Sequence, residues 1–253
     1  MTKPLETVYL VGAGCGAPDL LTLRAARAIA QASVLLVDDL VNEEIVAEHA
    51  SPTARIIQVG KRGGQPSTPQ AEIQRLLVEL AQAGERVVRL KGGDPLIFGR
   101  AGEEIAVLRA AGIPFAIVNG ISAAQGAAAD LGVSLTHREH ARGMIWVTGH
   151  ASPENQEPKW EAIGHAALTS QMSIAIYMGM TRVQTVQMEL LKALPADTPV
   201  AIVQNASRPE QRHAVGQLGT LAETIESAQL GSPSIIIIGH VLDGLSELAE
   251  IAP

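Results

Sequence analysis

Residues 89–104, RLKGGDPLIFGRAGEE, contain a loop that is more elaborate than a simple strand-to-helix turn. The apolar run RVVRL (86–90) precedes this loop, and the helical pattern EEIAVLRAAG (103–112) follows it. Two glycines, an Asp-Pro and a Phe-Gly-Arg sequence lie between them and make the connection long and conformationally demanding. The stretch therefore predicts a ligand-binding loop at the carboxyl end of a strand, where open α/β sheets bind their ligands.

Short β-branched runs alternate with helical patterns throughout the first half of the chain. The runs are VYLVGAG, VLLVDD, RIIQVG, RVVRLKGG and FAIVNG, and a helical segment follows each of them. This alternation predicts a parallel sheet that is covered by helices on both faces. A second series of apolar runs begins in the second half of the chain: MIWVTGH, SIAIYMGM, PVAIVQNAS, HAVGQLG and SIIIIGHV. We therefore expect an α/β fold with two domains, 1–120 and 121–253.

Composition and charge exclude several classes of protein. The 253 residues carry a net charge of −7, which argues against a protein that coats nucleic acid by bulk charge. The one cysteine cannot form an intramolecular disulfide, so the sequence is compatible with a protein of a reducing compartment. No apolar run approaches the roughly 18 residues of a membrane span. The first strand begins too early to leave room for a signal peptide. We expect a cytoplasmic protein without membrane or nucleic-acid partners.

The first strand ends in another glycine loop, GAGCGAPDLLTL (12–23). Its G-x-G-x-G spacing permits a dinucleotide site, in which Asp38 or Asp39 would bind the ribose hydroxyl. Ala17 stands where the third glycine of that motif would fall, and Pro18 suits the first turn of a helix in any case. A nicotinamide site, a different nucleotide-like ligand and a purely structural turn therefore all remain open. No cluster of cysteines and histidines predicts a metal site.

Long motifs in a fixed order resemble one family. The motifs are GAGCGAPDLLTLRA, VDDLV, VGKRGG, VVRLKGGDPLIFGRAGEE, GVSLTHR, TGH, IYMGM and PEQRHAVGQLGTL. They resemble the tetrapyrrole methylases, which are S-adenosylmethionine-dependent enzymes with a fold of their own. The resemblance extends from Val8 to Gly239. It implies two α/β domains of the tetrapyrrole methylase type, with the cofactor cleft between them.

The motif order is similar to that of family members that act on uroporphyrinogen III. The resemblance implies a homodimer that methylates this substrate twice, through precorrin-1 to precorrin-2, and releases S-adenosyl-L-homocysteine. The alternatives are a later corrin-pathway methylase, a nicotinamide oxidoreductase and a porphyrinogen-binding protein with a degraded site. The intact GGD, LTHR and IYMGM motifs argue against the last two. We expect no dehydrogenase–ferrochelatase module, and the product can lead to sirohaem, cobalamin or haem d1.

The resemblance also implies which residues bind the cofactor. A carboxylate such as Asp94 suits the hydroxyl or ammonium hydrogens of S-adenosyl-L-methionine, although an Asp-Pro turn or a helix cap would explain it equally. Cys15 stands where the family usually has proline, and we expect it to be passive, since methyl transfer from a sulfonium needs no enzyme nucleophile. The apolar positions would otherwise be ordinary core residues. The full set is Cys15, Gly92, Gly93, Asp94, Ile97, Ser122, Ala123, Met178 and Ala206.

A substrate rich in carboxylates requires local cations in an acidic protein, and arginine binds carboxylates bidentately. The family motifs VGKR and LTHR imply that Arg62, His137 and Arg138 bind substrate. Asp38 and Lys61 match the family's proton acceptor and proton donor. Arg100 and Glu103 match residues that hold substrate or take a proton, although acidic residues also favour the first turn of a helix.

Overall fold

The structure is a computed structural model that describes residues 5–60, 68–150, 157–243 and 245. Lys61 and Arg62 lie outside the described residues. The chain divides into two compact units, Met1–Ser122 and Ala123–Pro253. Among the described residues, no helix has both the length and the apolar character that a membrane crossing requires.

The first unit is built on a five-stranded parallel sheet, as predicted. Its strand order is β3-β2-β4-β1-β5. The strands are β1 (Val8–Gly12), β2 (Val34–Val37), β3 (Arg55–Gln58), β4 (Val87–Lys91) and β5 (Phe115–Val118). The interior strand β1 pairs with β4 on one side and with β5 on the other, so that Tyr9 lies opposite both Val88 and Ala116.

Helices cover both faces of this sheet because its strands are apolar on both sides. The helices are α1 (Leu23–Gln31), α2 (Glu43–His49), α3 (Gln70–Gln82) and α4 (Ala101–Ala110). Leu10 and Leu36 pack with residues of α3 and α4 in one core. Val11 and Leu35 lie in the core on the other face, with residues of α1 and α2. The alternation of side chains along each strand produces these two cores.

The second unit contains a mixed sheet with strand order β6-β7-β10-β8-β9. The strands are β6 (Gly143–Thr148), β7 (Met172–Tyr177), β8 (Pro199–Gln204), β9 (Arg212–Gln217) and β10 (Ser234–Ile238). β6 and β7 are parallel, whereas β10 runs antiparallel to both β7 and β8, and β9 antiparallel to β8. The short connection 205–211 can join β8 to β9 only in the antiparallel sense, because a parallel crossover needs a dozen or more residues.

In the described residues, the helices that accompany this sheet include α5 (Ala123–Asp130), α6 (Trp160–Ser170), α7 (Val183–Leu190) and α8 (Leu221–Ser227). The core contains buried residues of β7, β8 and β10, among them Ile174, Ile202 and Ile236. Buried residues of the helices, such as Val186 and Leu221, belong to the same core. The isoleucine run of β10 is therefore a buried strand, as its composition predicts.

Candidate cofactor and catalytic site

The two glycine loops of the first unit meet at the carboxyl edge of its sheet. β1 and β4 are neighbours, and the loops that follow them exchange backbone hydrogen bonds. Gly93 N donates to Gly14 O at 2.7 Å, and Gly14 N donates to Gly93 O at 3.2 Å. A Cβ atom on Gly12 would lie 2.5 Å from Gly93 O and 2.6 Å from the backbone nitrogen of Gly120. Glycine is required at position 12 because three backbone segments converge there.

Asp94 connects the loop after β4 to the segment after β5. Its side chain is 8% exposed. Oδ1 accepts a hydrogen bond from Leu96 N at 2.8 Å and closes the Asp-Pro turn. Oδ2 accepts from Asn119 Nδ2 at 3.1 Å and from Gly120 N at 3.2 Å. Asp94 is therefore a turn former that also joins two loops, and its contact with a cofactor stays a prediction.

The rest of the GGDPLIFGR loop is tightly wound. Phe98 and Arg100 have left-handed backbones, with φ of 51° and 55°. A Cβ atom on Gly99 would lie 2.6 Å from the carbonyl oxygen of Pro95, and one on Gly92 would lie 2.8 Å from Leu40 Cβ. Left-handed conformations at residues other than glycine are costly, and they are concentrated at ligand-binding sites. The loop conformation therefore supports the prediction of a binding loop.

Cys15 and Ile97 are both partly buried, whereas Ser122 is 3% exposed. The backbone N–H of Ile97 donates to Asp94 O at 3.2 Å, so Ile97 belongs to the same turn. These three residues lie on the loops after β1, β4 and β5, at the edge where the sequence predicts the cofactor.

Three buried charged residues, Arg89, Lys91 and Glu104, lie beside this edge, and none of them is among the site residues that the motifs predict. Arg89 and Lys91 are 2% and 3% exposed, and Glu104 is fully buried. Glu104 Oε1 lies 3.0 Å from Arg89 Nε and 3.0 Å from Lys91 Nζ. The other end of Arg89 contacts the predicted proton acceptor: Nη2 donates to Asp38 Oδ1 at 2.8 Å. Two cations inside the apolar strand VVRLK are the sequence signal that indicates this cluster.

Arg100 and Glu103 pair with each other on the surface. Arg100 Nε and Nη2 donate to the two carboxylate oxygens of Glu103, both at 2.8 Å. The side chains are 57% and 48% exposed. The hydrogen bond from Arg100 lowers the pKa of Glu103, and the bond to Glu103 raises the pKa of Arg100. Their predicted roles in substrate binding and proton transfer stay predictions.

Two of the predicted residues in the second unit, Met178 and Ala206, lie in loops that contain left-handed backbones. Met178 follows β7 with φ of 54° and is 49% exposed. Ala206 is 6% exposed and lies between two residues with left-handed backbones, Asn205 and Ser207. Asp130 at the end of α5 holds this loop, because its Oδ2 accepts from Ser207 N at 2.7 Å. Ala123 is half-buried at the start of α5.

His137 and Arg138 are exposed in the connection before β6. His137 and Ala141 exchange backbone hydrogen bonds of 2.8 and 2.9 Å, which close the turn that carries Arg138. The rings of His137 and His140 stack with their centroids 4.5 Å apart. Ligand atoms of His137, Glu139 and His140 lie within 4.8 Å of one another. All three side chains are exposed, and exposed acidic groups are common in proteins without a bound ion.

Comparisons with known proteins identify the family. Residues 7–222 match the tetrapyrrole (corrin/porphyrin) methylases. The chain is 48% identical over 236 residues to siroheme synthase 2 of Aeromonas hydrophila, covering 93% of this chain and 49% of that protein. It therefore spans about half the length of the siroheme synthases it matches. It is also 47% identical to the uroporphyrinogen-III C-methyltransferase of Pseudomonas aeruginosa, covering 92% of this chain and 93% of that one.

Solved structures agree with this match. Uroporphyrin-III C-methyltransferase of Thermus thermophilus, complexed with S-adenosylhomocysteine, has a TM-score of 0.79 at 35% identity and covers 94% of this chain and 93% of that one. A cobalt precorrin-4 methyltransferase of cobalamin biosynthesis has a TM-score of 0.82 at 26% identity, covering 94% and 96%. The resemblance that the motifs indicate is confirmed, and the chain belongs to the tetrapyrrole methylases.

Proposed function

We propose that this chain methylates uroporphyrinogen III twice, with S-adenosyl-L-methionine as methyl donor, to give precorrin-1 and then precorrin-2. The observation that carries the proposal is the 47% identity to a uroporphyrinogen-III C-methyltransferase over nearly the full length of both chains. The geometry of the first unit supports it, because the two glycine loops join at the edge where Asp38 meets two buried cations.

The residues of the predicted cofactor site fit an adenosyl sulfonium. Gly92 and Gly93 carry no side chain that would keep a ligand away from the loop, and Ala123 and Ala206 have side chains small enough for close approach. Ile97 and Met178 supply apolar contact. S-adenosyl-L-methionine, when bound, supplies an electrophilic methyl group on a positively charged sulfur. The full set that we propose to hold it also includes Cys15, Asp94 and Ser122.

The chain positions the substrate and removes a proton. A pyrrole carbon of uroporphyrinogen III forms a bond to the methyl carbon while the carbon–sulfur bond breaks, and its electron pair stays on sulfur. The ring becomes a cationic iminium, which a nearby carboxylate stabilises. Asp38 is suited to this role and to accepting the proton that is lost, because Arg89 holds its carboxylate at the sheet edge. Lys61, outside the described residues, is proposed as the proton donor.

The substrate carboxylates require cations, and we propose Arg62, Arg100, His137 and Arg138 for this purpose. The side chain of Arg138 is exposed, and that of Arg100 is more than half exposed, so both are accessible to a large ligand. We further propose that the protein is a cytoplasmic homodimer. Sedimentation at micromolar concentration tests the dimer directly, and a monomeric species there would contradict it.

A methylation assay tests the proposed function. Uroporphyrinogen III and S-adenosyl-L-methionine are incubated with the protein without oxygen, and the product is followed by absorbance and mass spectrometry. We expect the gain of one and then two methyl groups, with an equal yield of S-adenosyl-L-homocysteine. The similarity to a cobalt precorrin-4 methyltransferase makes a later precorrin the alternative substrate. Methylation of such a precorrin, but not of uroporphyrinogen III, would contradict the proposal.

A further inference from the structure

Glu104 is the most deeply buried carboxylate in the described part of the first unit. It lies in the first turn of α4 and is 0% exposed. Oε1 accepts from Arg89 Nε at 3.0 Å and from Lys91 Nζ at 3.0 Å, and Oε2 accepts from Lys91 Nζ at 3.2 Å. Gln70 Nε2 on α3 donates to Oε1 at 3.3 Å. Charged and polar groups from β4 and α3 thus surround this carboxylate.

Arg89 links Glu104 to Asp38. Its Nε faces Glu104, whereas its Nη2 donates to Asp38 Oδ1 at 2.8 Å. Nη1 donates to the backbone oxygens of Leu36 and Leu90, both at 3.3 Å, which fixes the guanidinium plane. Lys91 Nζ also lies 3.9 Å from Asp38 Oδ2. The planar guanidinium of Arg89 and the ammonium group of Lys91 therefore lie between the buried carboxylate of Glu104 and the partly exposed carboxylate of Asp38.

Helix formation does not explain why Glu104 is buried. The exposed neighbour Glu103 already places a negative charge in the first turn of α4. Burying two cations and a carboxylate carries a large desolvation penalty, and replacing such a cluster by apolar residues is often neutral or stabilising. The cluster is better explained by what it does for Asp38, whose side chain is 26% exposed and open to a ligand.

We propose that Glu104 is a positioning residue for the methyl transfer: through Arg89 and Lys91 it fixes the Asp38 carboxylate in the orientation that accepts the proton. This inference rests on the proposed function. Glu104 neutralises one of the two buried cations, so that Asp38 is held by directed hydrogen bonds and is not drawn inward between two uncompensated charges. Glu104 itself is fully buried and touches no substrate.

The test compares Glu104→Gln with a matched control in the same helix. Glutamine keeps the shape and one acceptor oxygen but removes the charge. We expect kcat to fall by about 100-fold, the loss that follows from a misplacement of about 1 Å. KM and the affinity for S-adenosyl-L-homocysteine stay at the wild-type values. Leu108→Ala is the control, because Leu108 is equally buried in α4 but lies in an apolar core. It should lower the urea midpoint while kcat per folded enzyme is unchanged.

A double-mutant cycle on urea unfolding of the ligand-free protein tests the link without any turnover. Asp38→Asn should lower the urea midpoint further in the Glu104→Gln background than in the wild type, since the double variant leaves both buried cations without a counter-charge. If the decreases in urea midpoint caused by the two substitutions simply add in the double variant, the proposal is overturned. A Glu104→Gln protein with wild-type kcat and a lowered midpoint would also overturn it, because Glu104 would then be a structural anchor only.

If Glu104→Gln does not fold, Glu104→Asp takes its place, and the same loss of kcat at unchanged KM is expected from its shorter side chain. If the wild type binds S-adenosyl-L-homocysteine but does not methylate uroporphyrinogen III, the proposed function is wrong. The cycle then still decides whether Glu104 acts on Asp38, because unfolding does not depend on substrate.

Discussion

Asp94 uses both carboxylate oxygens to hold the loops after β4 and β5 together. Asp94→Ala should lower the free energy of unfolding by about 1–3 kcal/mol, because it leaves the Gly120 N–H without its acceptor. The affinity for S-adenosyl-L-homocysteine should fall as well, since the loop that is proposed to hold it loses its cross-link. Urea unfolding and calorimetry measure the two effects. Asp94→Asn, which retains one acceptor oxygen, is the control, and unchanged affinity in Asp94→Ala would mean that the residue only forms a turn.

Because Lys91 titrates within the buried cluster, the free energy of unfolding should depend on pH in a way that can be measured. Burial and the nearby Arg89 lower its pKa below 10.5. The unfolded chain then binds this proton more tightly than the folded one, so the stability that Lys91 contributes rises with pH between the lowered pKa and 10.5. We expect the difference in free energy of unfolding, wild type minus Lys91→Met, to increase over that range. A constant difference would show that Lys91 titrates normally.

The contribution of Glu103 to stability is expected to differ from that of Glu104, the buried carboxylate beside it. Its pair with Arg100 is about half exposed, so Glu103→Gln should cost less than about 1 kcal/mol at neutral pH. The pKa of Glu103 is lowered, so this small contribution is complete above 4.5 and is lost as pH falls below that value. Urea midpoints at neutral and acidic pH measure the effect. A larger cost that persists in acid would contradict this description of the pair.

At the scale of elements, α6 ends in a conformation that its residue does not favour. Gln171 follows the helix with φ of 50° and ψ of 61°. Glycine adopts this left-handed conformation without a Cβ penalty, so Gln171→Gly should raise the free energy of unfolding by about 0.5–1 kcal/mol. Gln171→Ala is the control and should give no such gain. Equal urea midpoints for the two variants would show that the side chain, not the backbone, decides this position.

Strand order explains why two loops that are far apart in sequence form one site. β1 lies next to β4, although two other strands lie between them in the chain. The carboxyl ends of parallel strands meet at one edge, so the loops at Gly14 and Gly93 become neighbours and hydrogen-bond to each other. In such sheets the edge where connections diverge is the usual place for a ligand.

At the scale of the whole molecule, the proposed cofactor should stabilise the fold by mass action. A ligand present at about 100 times its dissociation constant adds about 2.7 kcal/mol to the free energy of unfolding. We expect S-adenosyl-L-homocysteine to bind with micromolar affinity, about −8 kcal/mol, and to raise the urea midpoint accordingly. NADH at the same concentration should leave the midpoint unchanged. Stabilisation by NADH of equal size would contradict the methylase assignment of the glycine loops.

Features that depend on local pattern can be predicted from the amino-acid sequence alone. Apolar runs separated by helical segments predict the parallel sheet, and long motifs identify the family. Gly12 and Gly93 could be assigned to tight loops from the sequence, because such loops need residues without a side chain. The helical pattern EEIAVLRAAG (103–112) likewise corresponds to α4, which begins two residues earlier, at Ala101.

The charges that contact Asp38 are recognisable only in the folded protein. Glu103 and Glu104 are adjacent and identical in type, but successive residues point about 100° apart around a helix, so one is exposed and the other buried. The antiparallel insertion of β10 between β7 and β8, and the link from Asp94 to Gly120, likewise join residues that are distant in the chain. Such contacts depend on how the elements pack, so a local pattern such as the two cations of VVRLK can indicate that a charge is buried but not which partner it meets.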